Sequence, residues 1–268
     1  MIRLTDKEFD FIVDFMKSNY GINLINKRQL IESRMHNTLV QKNLSSFSEY
    51  FEIIKNHDKA EISLLINKLT TNHTYFMREP QHFNFLKNTV LPYHEKYNKQ
   101  HDIRIWSAGC SSGEEAYTTI MTIKDYFGSN SNLWDTTILA TDISTNAMGL
   151  AQTKIYEEEA LKDVPDSWKT RYFKRLGNGD YDLTPAIRKE VVYRVFNLMD
   201  KFVYKKPFDV IFCRNVMIYF DQKTKNELVE KFYDALAPGG YLFIGHSESI
   251  QKEASRFKYI QPSIYQKG

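Results

Sequence analysis

Four short apolar runs, each ending in small or polar residues, constrain this chain more than any other feature: IRIWSAG, TILATDIS, FDVIFCRN and YLFIGHSE. Helical sequence such as GEEAYTTIMTIKDYF and KTKNELVEKFYDAL separates them. That alternation predicts an α/β fold, a doubly wound, mostly parallel sheet with helices on both faces. A ligand of such a sheet sits at the C-terminal ends of the strands, where the polar residues collect.

Ahead of these runs, residues 1–77 read as a separate helical unit. Thr5 and Glu8 have the spacing of a capping box, and Phe9, Ile12, Val13, Met16 and Tyr20 recur on one helical face until Gly21 interrupts it. Leu30, Ile31, Arg34, Met35, Thr38 and Leu39 suggest a second helix, and Ser46 with Glu49 a further capping box. Such helices need one another, because one amphipathic helix cannot bury its own stripe. Residues 78–268 form the α/β domain. Within it, about 155–195 reads as a small antiparallel insertion, with a hairpin through Arg171–Leu176, Gly177–Gly179 and Tyr181–Leu183, before Val191–Phe196 returns to strand-like sequence. YLFIGHSE and FKYIQPSIYQK pair as the last hairpin of the sheet.

The chain has 268 residues and a formal net charge of +3, too small to imply nucleic acid, so no nucleic-acid partner is expected. The local balance differs. Lys27, Arg28, Arg34 and Lys42 face only Glu32 along the second helix, which is either a solvated face or a docking surface for an acidic partner. Cys110 and Cys213 give no disulfide framework, and no apolar run is long enough to span a bilayer; a cytoplasmic setting without direct membrane insertion is the expectation. The seven histidines make no recognisable ligand motif, so no metal is expected. The two cysteines read as packed side chains, since neither has a base partner defined by the sequence.

In SAGCSSGEEAY, Gly109 and Gly113 permit a tight strand-to-helix passage, and Ser112 and Glu115 have the spacing to cap the helix. The spacing is GxxxG, unlike the GxGxxG of a dinucleotide loop, and no Lys-Ser/Thr ending follows. Acidic residues at the helix start oppose a bound polyphosphate and favour a cationic ligand. Asp142, at the end of the next run, can accept hydrogen bonds from ribose hydroxyls, which fits adenosine, NAD or S-adenosylmethionine. Glu114 and Glu115 shift the balance toward S-adenosylmethionine, whose ammonium and sulfonium are both positive. In CRNVMIYF, Arg214, Asn215 and Tyr219 can surround one pocket mouth, and TTNHTYFMRE adds Asn72, Thr74 and Arg78 from the entering linker. Singly, Arg78 reads as a surface ion-pairing residue and Tyr219 as a packed aromatic; jointly, at the ligand edge, they read as functional.

With TNHTYFMRE, WSAGCSSGEEAY, ATDIS, the FNL of residues 196–198, FCRNVMIYFD and GHSE in one order, the chain resembles the chemotaxis receptor methyltransferase family over nearly its whole length. The resemblance implies a Rossmann-like S-adenosylmethionine-dependent domain preceded by a helical domain. It also implies transfer of a methyl group to glutamate side chains on the cytoplasmic helices of transmembrane chemoreceptors, leaving S-adenosylhomocysteine. It places Arg78 and Thr74 near the reactive end of the cofactor, Glu114 or Glu115 at its ammonium, Asp142 at its ribose, and Asn197 and Leu198 around its adenosine. Gly109, Asn215 and Tyr219 line the pocket, with Asn72 and Arg214 in support. The basic second helix corresponds to the receptor-facing surface, and the β-subdomain to one that in some members grips a receptor C-terminal peptide; RLGNGDYDLTP departs from the loop of those members. A monomer recruited to membrane receptor arrays is implied. Arg78 is expected to orient the incoming carboxylate and Tyr219 to set its line of attack. The rival expectations are methylation of another carboxylate and a cofactor-binding module without turnover; a dehydrogenase fits the glycine spacing poorly.

Overall fold

The computed structural model describes residues 2–268. Four helices open the chain: α1 (Asp6–Tyr20), α2 (Arg28–Gln41), α3 (Phe47–Lys55) and α4 (Lys59–Leu69). The capping box of α1 forms in both directions, since Thr5 Oγ1 accepts from Glu8 N and the Glu8 carboxylate accepts from Thr5 N, and Gly21 ends the helix at φ 71°. At α3 only half the box forms: Ser46 accepts from Glu49 N, while the Glu49 carboxylate turns to Ser45.

The linker leads to α5 (Gln81–Phe85) and α6 (Leu91–Tyr97), joined by a π-turn over Leu86–Val90. Pro92 accounts for the widened turn, because its ring lacks an N–H and crowds the carbonyl four residues back. There follow β1 (Ile105–Ala108), α7 (Glu114–Phe127), β2 (Ile138–Asp142), α8 (Thr145–Thr153), α9 (Asp166–Tyr172), β3 (Phe173–Arg175), β4 (Tyr181–Leu183), α10 (Pro185–Arg188), β5 (Val191–Val195), β6 (Phe208–Cys213), α11 (Gln222–Ala235), β7 (Leu236–Ile244), β8 (Lys258–Gln261) and β9 (Ile264–Gln266).

The main sheet has seven strands in the order β5-β2-β1-β6-β7-β9-β8. Its first five strands are parallel neighbours, and β9 and β8 close it antiparallel. Two expectations are refined here. Val191–Val195, expected within the 155–195 insertion, pairs with β2 in the main sheet, so the separate antiparallel pair is only β3 with β4. FKYIQPSIYQK is itself a hairpin, whose second strand is the one that meets β7.

Alternate side chains of the central strands enter two cores, as the period of a strand requires. Ile105, Val210, Phe212 and Phe243 meet Tyr117, Ile120 and Met121 of α7 on one face. Trp106, Ile211 and Leu242 meet Leu228 and Phe232 of α11 on the other, in a core that runs on without a break into Ile12, Met16, Ile31 and Phe51 of the helical unit. The helical unit is therefore fused to the sheet instead of tethered beside it. A single antiparallel bridge, Ile22 with Phe220, and the bond from Asn23 N to Tyr219 O at 2.8 Å fix the α1–α2 linker against the strand ends.

Candidate active site

The switch in strand order lies between β1 and β6, whose connections leave toward opposite faces and open a crevice at their C-terminal ends. A cavity of about 220 Å³ occupies it. Gly109 explains how the chain turns there: its N–H and that of Cys110 both bond Thr141 O, at 2.7 and 2.9 Å, which folds the loop over the end of β2. Its φ is +86°, and a Cβ would stand 2.3 Å from Val216 Cγ2, so neither the backbone nor the space admits another residue without a shift. Helix α7 then starts from Gly113 in the left-handed region. The cap expected from Ser112 and Glu115 is absent, because Ser112 Oγ donates to the Glu114 carboxylate at 2.7 Å.

Asp142 sits at the cavity wall with each carboxylate oxygen anchored by a loop amide, Ser111 N at 2.8 Å and Ser144 N at 2.9 Å. Burial pushes its carboxyl up, and these amides oppose the shift by favouring the anion. Glu115 also lines the cavity, accepting from Ser107 Oγ at 2.6 Å and from Arg214 Nη1 at 3.0 Å. Burial raises its carboxyl as well, against the pull of Arg214.

The neighbouring acid does something else. Glu114 is buried away from the cavity, with Oε1 on Lys154 Nζ at 2.6 Å, so of the two candidates for a cofactor ammonium only Glu115 faces the cavity.

Arg214 is buried and fully employed. Nε and Nη2 bond Glu79 Oε2 at 3.2 and 3.1 Å, Nη2 also reaches the Arg78 carbonyl, and the guanidinium stands 5.5 Å from the Phe83 ring. Glu79, quoted in the linker motif but given no role there, accepts His246 N on its other oxygen at 3.1 Å. Burial works against its ionisation, but Arg214 and the His246 amide outweigh it and hold the carboxyl below its ordinary range. His82, 3.6 Å from Glu79, is fully buried and its pKa falls to about 3, chiefly through burial, so it stays neutral. His246, His82 and Glu79 have ligand atoms within 4.8 Å of one another, yet the Glu79 carboxylate already accepts from Arg214, the His246 amide and Asn215 Nδ2, an arrangement that competes with a cation.

The remaining candidates divide in two. Asn72, Thr74, Arg78, Asn197, Leu198, Asn215 and Tyr219 all line the cavity. Arg78 lies at its mouth, with Nη1 on His73 O at 2.7 Å and its guanidinium over Tyr75. Asn197 Nδ2 bonds Asn19 O at 2.7 Å and Lys231 holds the Leu198 carbonyl at 2.7 Å, which pins the FNL segment to both domains. Of the basic second-helix residues, Lys27 is exposed on the cavity wall with no ion pair among the described residues. The other three are engaged internally: Arg28 with Asp6 at 2.7 Å, Lys42 with Glu61 at 2.6 Å, and Arg34 with the Thr70 carbonyl at 2.8 Å and Thr71 at 3.0 Å. Three features went unpredicted. Tyr20, Ile22, Asn23 and Leu24 of the helical unit line the cavity, Ser111 anchors Asp142, and Glu248 ties Asn215 N, Gly245 N and Ile218 N together. Only Gly21 and the GHSE motif hinted at them.

Sequence comparison matches this two-part organisation. Residues 7–70 match the family model "CheR methyltransferase, all-alpha domain" and residues 72–265 match "CheR methyltransferase, SAM binding domain". The chain belongs to the CheR methyltransferase family. A chemotaxis protein methyltransferase of Borreliella burgdorferi is 43% identical over 100% of this chain and 96% of its own length. The Escherichia coli chemotaxis protein methyltransferase is 35% identical over 98% of this chain and 92% of its own, and chemotaxis protein methyltransferase 1 of Pseudomonas aeruginosa 33% over 96% and 95%.

The S-adenosylmethionine expected of this CheR domain fits the residues present. The cavity offers carboxylates at Glu115 and Asp142 for a cation and a ribose, and a bare Gly109 backbone where any side chain would intrude.

Proposed function

We propose that this protein transfers the methyl group of S-adenosylmethionine to glutamate side chains of the cytoplasmic helices of chemoreceptors, forming glutamyl methyl esters for sensory adaptation. The observation that carries the reading is the convergence of Glu115, Asp142, Arg78 and Tyr219 on one cavity in a chain belonging to the CheR family from end to end.

When bound, the donor supplies a sulfonium-bound methyl carbon, whose displacement by a carboxylate oxygen leaves neutral S-adenosylhomocysteine and no proton to place. A glutamate is already anionic near neutrality, with a reference pKa of about 4.3, so the protein needs no general base. Its contribution is alignment and exclusion of water. In this reading Glu115 takes the donor's ammonium, Asp142 its ribose hydroxyls, and Asn197 with Leu198 frames its adenosine. Arg78, tied at one nitrogen to the His73 carbonyl, keeps donors free to orient the substrate carboxylate without quenching it. Tyr219, whose backbone is held by Asn23, sets the approach from the other side. Asn72 and Asn215 hold the walls.

Lys27, on the cavity wall and without an ion pair among the described residues, is the basic residue best disposed to meet an acidic receptor helix; Arg28, Arg34 and Lys42 act there through what their internal bonds leave free. The outer edge of β3 has no strand partner among the described residues, which suits addition of an extended receptor peptide. The protein acts as a cytoplasmic monomer recruited to receptor arrays. Among the described residues no helix is long and apolar enough to cross a membrane.

The test is incubation with labelled donor and cytoplasmic receptor fragments, followed by mass spectrometry. Base-labile methyl esters on glutamate are expected, releasing methanol, and an Arg78→Ala control should lack most of them. Label appearing on another residue type, or none with a folded protein that binds the donor, overturns the reading.

A further inference from the structure

Glu248 stands outside the cavity wall, yet it holds a loop that forms part of that wall. Its carboxylate accepts from Asn215 N at 2.9 Å, Ile218 N at 3.1 Å and Gly245 N at 2.6 Å. These donors come from two loops, one after β6 and one after β7, which press together there: a Cβ on Gly245 would stand 2.8 Å from Asn215 N. The Gly245–Glu248 turn is closed in both directions, since Glu248 N also bonds Gly245 O at 2.9 Å, and the carboxylate is thereby presented from a fixed position. Burial pushes the Glu248 carboxyl up, while the backbone N–H groups of Gly245, Asn215, Ile218 and Met217 favour its anion.

The receiving loop has the shape that such an anion needs. Asn215 is left-handed at φ 59° and Val216 right-handed at φ −109° and ψ −46°, a succession that turns neighbouring N–H groups to one side and makes a concavity for an anion. The turn Met217–Tyr219 follows, and its backbone is anchored twice. Glu248 takes the N–H of Ile218, and Asn23 N donates to Tyr219 O at 2.8 Å. Met217 and Phe220 are buried, so the segment stays packed without Glu248. What the carboxylate adds is the fine setting of the turn, and with it the direction from which Tyr219 meets the cavity.

We propose that Glu248 is a positioning residue of the methyl transfer: by tying the loops after β6 and β7 together it fixes the Met217–Tyr219 turn, so that Tyr219 guides the incoming carboxylate along the line of displacement. The inference rests on Tyr219 as the residue that aligns the substrate. Neither the charge nor a proton of Glu248 enters the reaction; it acts through the backbone it holds, and a displacement of about 1 Å at the reacting groups costs a large factor in rate. The donor is held from other elements, by Glu115 of α7 and Asp142 of β2, and Asn215 keeps a second hold in Glu79, so donor binding depends little on Glu248.

The experiment measures single-turnover methyl transfer from saturating S-adenosylmethionine to a cytoplasmic chemoreceptor fragment, with donor Kd by titration calorimetry and thermal unfolding, for the wild-type protein, Glu248→Ala, Tyr219→Ala and the double variant. E248A should lower the transfer rate about thirtyfold, and by no less than about tenfold, with the donor Kd within about fivefold. Because Glu248 acts through Tyr219, adding E248A to Y219A should cost less than about threefold, whereas a merely structural loss would reappear there in full. E248Q keeps the size of the side chain but turns an NH2 group toward these donors, so it should follow E248A, and it carries the test if E248A does not fold. A smaller loss of rate, a greater loss of donor affinity, or a double variant that loses more than threefold beyond Y219A overturns the proposal. If Y219A matches the wild-type rate, the role of Tyr219 fails and the proposal with it; if Y219A is impaired and E248A is not, the role of Glu248 alone fails. A folded wild-type protein that binds the donor and transfers nothing overturns the function itself, an outcome distinct from both.

Discussion

Glu114 and Glu115 are adjacent on the first turn of α7, and their carboxylates serve opposite purposes: Glu114 closes on Lys154 at 2.6 Å behind the helix, and Glu115 closes on Arg214 at 3.0 Å at the cavity wall. A helix separates successive side chains by about 100°, so one of two neighbouring acids can face a ligand while the other enters the fold.

Substituting the pair should therefore separate stability from binding. Glu114→Gln should lower stability by about 1–2 kcal/mol, a fall of a few degrees in unfolding temperature, with donor affinity nearly unchanged. Glu115→Gln should weaken donor binding by about tenfold or more. Calorimetric unfolding and ligand titration of both variants check the contrast.

Arg78→Ala should lower kcat/KM for receptor methylation by about 10²-fold while leaving the donor Kd within about threefold, because its guanidinium stands at the cavity mouth and not in the buried cluster. Single-turnover transfer measured beside equilibrium binding distinguishes this from a cofactor-holding role, which would reduce both equally.

Gly109→Ala should cost about 1–2 kcal/mol from its left-handed backbone alone, with a further loss from the overlap at Val216 Cγ2, 2.3 Å away. Pairing it with Val216→Ala should recover the steric share but not the backbone share. Unfolding curves of the single and double variants give the two parts.

Mild acid should weaken the protein through His82. His82 has an ordinary pKa near 6.5 and about 3 in the fold, so below pH 6.5 the unfolded chain gains a proton that the folded one refuses, and stability falls as pH falls. Glu79, Arg214 and His246 surround it, and burial is the dominant cause. Between pH 6.5 and 5 this single group is worth about 2 kcal/mol at most. His82→Gln should flatten the slope of unfolding free energy over that window, measured by urea denaturation at several pH values.

Much of this was legible in the sequence because it is local. The capping box of α1, the break at Gly21, the parallel strands and the polar residues at their ends follow from periodicity and turn chemistry within a few positions. Asp142, Asn215 and Tyr219 could be placed at one edge because the topology of an open α/β sheet dictates that edge. What could not be read is what distant segments do to one another. Arg34 reads as a surface cation until the linker carbonyl of Thr70 is seen to occupy it, and Glu79 reads as a charged loop residue until the loops after β6 and β7 converge on it. The direction of Glu114 depends on Lys154, across a helix and a strand.

The strap from Tyr20 to Leu24, bridged to Phe220 and forming part of the cavity wall, bears on how this architecture can diversify. An exchange of the first seventy or so residues between two relatives would transplant a piece of the reaction chamber along with any recognition surface. Any recognition surface on the helical unit and this wall of the chamber would thereby be inherited together, and hybrids should lose turnover unless the strap and the Met199–Phe220 surfaces beneath it travel as one unit.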